Sequence, residues 1–144
     1  KGRCREFYSF IKHELIPFTG NKYSLSGNRS IMGHSLGGLF VFYCLFRDEG
    51  LFNHYFALSP SLWVNRNAVY RFNNIGESIS MESYLYFSSG SKEDFNLIMP
   101  VTKKMNRFLI HKAYPNLLFE FDIHPSKGHF SQVKYSIEKI LKRL

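Results

Sequence analysis

Cysteine is scarce in this chain: Cys4 and Cys44 are the only two in 144 residues. Two thiols do not make a disulfide framework, and Cys44, inside an apolar stretch, reads as a small buried hydrophobe. Neither the thiols nor the six histidines fall at metal-ligand spacing, so no metal and no cofactor is expected. No apolar run approaches the ~18 residues that would span a bilayer. The opening Lys-Gly-Arg-Cys-Arg-Glu is not followed by the apolar core of a secretory signal. Neither membrane insertion nor a leader is expected from these residues. The net charge is +8, but it is scattered, with no block of consecutive Lys and Arg. That pattern argues against a nucleic-acid partner and leaves room for an anionic small molecule. Internal repeats and linkers are absent as well. The remaining composition, 44% hydrophobic and 17% aromatic, is that of one globular domain with a real core.

The stretch Ile31-Met32-Gly33-His34-Ser35-Leu36-Gly37-Gly38 carries the strongest signal. It reads G-x-S-x-G, with a short apolar run before it and a helix-like run, Leu39 to Phe46, after it. In an α/β-hydrolase this pattern is the nucleophile elbow, a sharp strand-to-helix turn that lifts a serine out of the sheet. Gly33 and Gly37 are expected to flank Ser35 because the turn is too tight for side chains. The serine then sits at a helix N-terminus, where free N–H groups favour negative charge. The Leu36 N–H is the expected oxyanion donor.

Strand and helix alternate along the rest of the chain. Cys4, Phe7, Phe10, Ile11 and Leu15 recur at helical spacing, and Ile16-Pro17 is expected to stop that helix. Arg29 to Met32 reads as a short strand delivering Ser35, and the helix from Leu36 closes near Asp48-Glu49-Gly50. His54 to Leu58 is the next strand, and Asn65 to Phe72 a short helix. Tyr84 to Ser88 is a strand, Val101, Met105, Phe108 and Leu109 mark a helix, and Leu117 to Ile123 is the last strand. The final helix shows Val133, Ile137, Ile140, Leu141 and Leu144 on one face. This alternation predicts an α/β fold, a mostly parallel sheet with helices on both faces.

A serine nucleophile needs a base, and the base needs an orienting acid. In this fold they follow in the order Ser, Asp/Glu, His, each in a loop after a strand. Glu93 and Asp94 follow the strand that ends at Ser88, and either could be the acid. His129, between the last strand and the last helix, is the best-placed base, with His124 as fallback. His13 and His111 fall on helices and read as solvated, and His54 begins a strand with no obvious partner. His34 lies inside the elbow and reads as facing away from the base. Ser59 and Trp63 follow the second strand and line the edge where open α/β sheets bind ligands. With His34 they are the candidate substrate-binding residues.

Five segments together make a more specific pattern. They are Glu14-Leu15-Ile16-Pro17, Arg29 to Leu39, Ala57-Leu58-Ser59-Pro60-Ser61-Leu62-Trp63, Gly90-Ser91-Lys92-Glu93 and Gly128-His129-Phe130-Ser131. Through them the chain resembles the esterase family of α/β-hydrolases that includes enterobactin (siderophore) esterases, esterase D-like enzymes and feruloyl or acetyl-xylan esterases. The resemblance implies a three-layer sandwich and a serine carboxylic-ester hydrolase acting on a small-molecule ester. It implies Ser35 as nucleophile, Glu93 as acid and His129 as base. Some relatives in the siderophore branch look like Ser–His dyads. The resemblance also implies further strands ahead of the first helix, carrying the other oxyanion donor and part of the pocket. Residues 1–144 therefore read as the C-terminal portion of a single α/β-hydrolase domain, with one sheet edge left open. Two other readings compete: a hydrolase-fold binding scaffold without catalysis, and an acyltransferase using the same serine.

Overall fold

The computed structural model describes residues 3–47, 50–64, 79–93 and 97–143. The expected helix over Asn65 to Phe72, the alternative acid Asp94, the closing residues Asp48-Glu49 and Leu144 lie outside the described residues. Four strands form one sheet in the order β1-β2-β3-β4: β1 Ser30–His34, β2 His54–Leu58, β3 Ser83–Gly90 and β4 Leu117–His124. All three pairings are parallel, as strand–helix alternation requires. Among the described residues, β1 borders only β2.

Side chains alternate across the sheet, and each face has its own core. On one face, Tyr55, Ala57, Leu85 and Phe87 meet α3 (Leu36–Arg47) and α4 (Ile98–Lys112). Helix α3 is apolar almost all round, and Val41 through Phe46 are buried. Phe42 meets Phe87 edge-on at 5.6 Å between centroids, and Phe87 stacks on Phe121 at 4.7 Å. Phe42 and Phe87 are fully buried, and each contributes about 1.5–3 kcal/mol relative to exposure. On the other face, Phe56, Leu58 and Tyr86 pack against Ile140 of α5 (Val133–Leu141). The expected face of α5 is correct at Val133, Ile137 and Ile140, whereas Leu141 is exposed.

The first helix departs from expectation. It does not stop at Ile16-Pro17. Segment α1 (Cys4–Phe10) runs into a π-helical turn at Ile11–Leu15 and on into α2 (Ile16–Lys22). Pro17 falls in the first turn after the widened segment. There the i→i+5 pattern breaks the regular ladder that a proline otherwise disrupts. Tyr8 and Ile11 are the buried residues of this helix, while Phe7, Phe10 and Leu15 are exposed.

Candidate active site

Strand β1 ends at His34, and the chain turns at once into α3. Ser35 occupies the turn with φ of 58°, a left-handed conformation that costs an L-residue about 1–2 kcal/mol. The turn is pinned at both sides. Ser35 N donates to Leu58 O (3.0 Å), while Ser35 O accepts from Leu39 N (3.1 Å) and Ser61 N (3.0 Å). Gly33 is required by close approach: a Cβ there would overlap the Gly37 carbonyl and lie 2.9 Å from Gly38 N. Gly37 is not, because a Cβ at that position meets nothing within 4 Å. The expectation that both glycines are sterically forced is therefore corrected to Gly33 alone. Leu36 opens α3, so its N–H has no carbonyl four residues back within the helix.

The acid and base loops meet beside this elbow. Glu93 follows β3 and its side chain is wholly buried. A buried carboxylate needs donors, and three are present. Glu93 Oε1 accepts from Gly90 N (2.6 Å) and from the Ser59 hydroxyl, and Oε2 faces His129 Nδ1 at 3.2 Å. His129 follows β4 and keeps a quarter of its side chain exposed. The two loops are stitched together by Lys92 N donating to Lys127 O (2.8 Å) and Ser91 N donating to His124 O (2.9 Å).

His34 does not face away from the base, as the sequence suggested. Its ring lies 4.5 Å from that of His129, and its Nε2 bonds His129 O at 2.9 Å. Residue 34 thus points to the face of β1 from which the last loop approaches, and it bonds the loop that bears His129. Ser59 is also reassigned. It is fully buried, with φ of 42°, and its hydroxyl serves Glu93 rather than an open pocket. Trp63 is partly exposed at 38%, and Leu36 and Phe130 are exposed as well. Phe130 packs against both His34 and His129, at 5.4 and 5.2 Å.

Two residues at the site were not singled out from sequence. Ser61 Oγ lies 3.1 Å from Ser35 Oγ, so it holds the candidate nucleophile's hydroxyl in addition to its backbone clamp. Gln132 is fully buried and donates to Ser59 Oγ at 2.8 Å. The fallback base His124 stands apart from the serine, bonding Ser136 Oγ at 2.9 Å and Tyr86 OH at 3.3 Å. Burial is the main cause that lowers its pKa below the ordinary value. The Asp122 charge pulls it back up and Lys139 adds to the drop. Among the described residues, no cluster of three or more His, Cys, Asp or Glu could hold a metal ion.

A parallel sheet whose first strand feeds a left-handed serine into a helix, with an acid after β3 and a histidine after β4, defines the α/β-hydrolase fold. Within that class, the chain belongs to the family described as "Putative esterase", whose model matches residues 1–107. It is 39% identical over 66 residues to the ferri-bacillibactin esterase BesA of Bacillus subtilis, covering 45% of this chain and 23% of that protein. It is 37% identical over 71 residues to a siderophore enterobactin esterase of Emericella nidulans, covering 47% and 23%. The crystal structure of the BES protein from Bacillus cereus superposes with a TM-score of 0.88 at 28% identity, covering 99% of this chain and 56% of that one. The matched stretches thus span about a quarter of the curated relatives and the chain about half of the solved one.

Proposed function

We propose that this protein hydrolyses carboxylic esters through an acyl-enzyme on Ser35, with His129 as general base and Glu93 as the acid that orients it. One observation carries the reading: the His129 ring packs at a tilt, 4.5 Å between centroids, against His34, the residue preceding Ser35, while its Nδ1 faces a fully buried carboxylate. With Nδ1 directed to Glu93, Nε2 is the nitrogen left for the serine proton. The Ser35 hydroxyl rests on Ser61 at 3.1 Å, and in this reading it turns to the base when substrate binds, since such bonds commonly tighten only then.

Ser35 Oγ attacks the ester carbonyl carbon as its proton passes to His129 Nε2. The carbonyl oxygen gains the negative charge, and the Leu36 N–H at the start of α3 donates to it. The C–O bond to the alcohol breaks, and the alcohol leaves with the proton from His129. Water then gives its proton to His129, attacks the acyl carbon and releases the carboxylic acid with Ser35 restored. Phe130 is exposed against His34 and His129, and with the exposed Trp63 it would offer aromatic surface to the substrate. Because the named relatives are siderophore esterases, siderophore esters are the first substrates to try, and the +8 charge suits an anionic one.

Labelling the full-length protein with a fluorophosphonate probe and measuring p-nitrophenyl acetate turnover tests this. Both are expected, and both are lost in Ser35→Ala. Labelling that persists in Ser35→Ala overturns the assignment. A folded protein that neither labels nor turns over favours the binding-scaffold reading.

A further inference from the structure

Behind Glu93 runs a second line of polar side chains that the ester-hydrolase reading does not use. Ser59, Ser88, Gln132 and Ser136 are each fully buried between the sheet and α5. Burying four polar side chains is costly unless every group is satisfied, and here each has a partner. Ser59 Oγ donates to Glu93, so it can only accept from Gln132 Nε2 (2.8 Å). That fixes the orientation of the Gln132 amide and turns its Oε1 toward two hydroxyls, Ser88 (2.9 Å) and Ser136 (2.6 Å). With the Ser136 proton spent on Gln132, Ser136 Oγ accepts from His124 Nε2 (2.9 Å), which assigns the Nε2–H tautomer from the network. Every donor therefore runs the same way: His124 to Ser136, to Gln132, to Ser59, to the carboxylate.

Gln132 also lies three residues after His129, and its own N–H bonds Gly128 O at 3.2 Å. One residue thus ties down the loop that bears the base and the hydroxyl that holds the acid. We infer that Gln132 and Ser59 are positioning residues for the Glu93–His129 pair, acting through the unidirectional donor chain that begins at His124. Neither is a substrate contact. Removing the Gln132 donor frees the Ser59 hydroxyl to turn, and the carboxylate can then rotate away from His129 Nδ1. The inference rests on the ester-hydrolase reading only for its kinetic readout.

The test compares Gln132→Met, Ser59→Ala and the double variant in the full-length protein. Each single variant is expected to lower kcat about tenfold, the scale of one charge-assisted hydrogen bond, with KM unchanged. The double variant is expected to be no worse than the poorer single one, because both act along one line. Wild-type kcat in Gln132→Met, or losses that multiply, would overturn the inference. A readout free of catalysis is the downfield N–H proton resonance of His129, assigned by its loss in His129→Ala. It is expected to move in both single variants, and a resonance unmoved in both refutes the relay. Ser59→Ala changes volume least and serves if Gln132→Met unfolds. Absence of Ser35 labelling with the resonance still shifted would sink the esterase reading and leave the relay standing.

Discussion

Gly90, the last residue of β3, makes a sharper test of the site than any residue that touches substrate. It has no positive φ, so alanine can adopt its backbone, and the effect of Gly90→Ala comes from contact alone. A Cβ there would overlap the Lys127 carbonyl, with the Lys127 carbonyl carbon at 2.6 Å and Gly128 O at 2.9 Å. An ordinary carbon–carbon contact is ~3.5 Å, so the loop must retreat by about 0.9 Å. Backbone cannot step aside as a flexible side chain can. The same loop receives the Lys92 N–H through Lys127 O and delivers His129 two residues later. A retreat of that size takes the 3.2 Å contact between His129 Nδ1 and Glu93 Oε2 outside hydrogen-bond range. A misplacement of about 1 Å at a catalytic group costs on the order of 10²-fold in rate. Gly90→Ala is therefore expected to cut p-nitrophenyl acetate kcat/KM by about that factor. Stability should fall by only about 1–3 kcal/mol, read from thermal unfolding. A variant that melts near the parent and keeps more than about half its activity would refute the argument, because the loop would then have absorbed the methyl without moving the base.

Three further outcomes follow from the same geometry. Ser35→Gly relieves the left-handed strain at φ of 58° but forfeits the bond to Ser61, so a net gain of up to about 1 kcal/mol is expected with all labelling lost; a lower melting temperature would contradict it. Gly37→Ala, whose Cβ meets nothing, should leave folding intact or gain about 0.5–1 kcal/mol of helix propensity, whereas Gly33→Ala, whose Cβ overlaps the backbone of α3, should lose at least the ~1–3 kcal/mol expected at Gly90, as thermal unfolding by circular dichroism would report. His124 has a lowered folded pKa, so the unfolded chain takes up its proton first. The stability this residue contributes is present above about pH 6.5 and is lost as pH falls below it toward the folded value; urea unfolding at several pH values should show that slope flattened in His124→Gln.

The strand positions, the parallel α/β class and the elbow were legible because each is marked by residues close in sequence. His54–Leu58 is found where its five-residue run predicts, and Ser35 turns where Gly33 allows. That Ser35, Glu93 and His129 each follow a strand was also readable, since those strands announce themselves. What escaped were contacts between distant segments. Ser61 bonds Ser35 across 26 residues and Gln132 bonds Ser59 across 73, and nothing in their local spacing marks them. His34 could be placed in the elbow but not oriented, because its face is set by the loop that arrives 95 residues later. The helix that ran past Pro17 escaped for a local reason: a π-helical turn ahead of it supplies an irregular ladder that simple helical periodicity does not encode.

The missed contacts between distant segments share a cause that bears on how Glu93 and His129 are held together. Gln132 carries no mark of its part when read singly, Gly90 reads only as the end of a strand, and Ser59 reads as a pocket residue. Each is required only because two loops after β3 and β4 converge within hydrogen-bond distance. Gly90 lets the backbones touch, Ser59 fills the valence of the acid, and Gln132 locks the hydroxyl that does so. None of the three carries charge. Local charge alone therefore does not account for the arrangement of Glu93 and His129; it also requires the packing of neutral neighbours that leaves one orientation for each donor. On that argument, a substitution of a neutral residue in this shell should disturb the histidine–acid pair before it disturbs the fold.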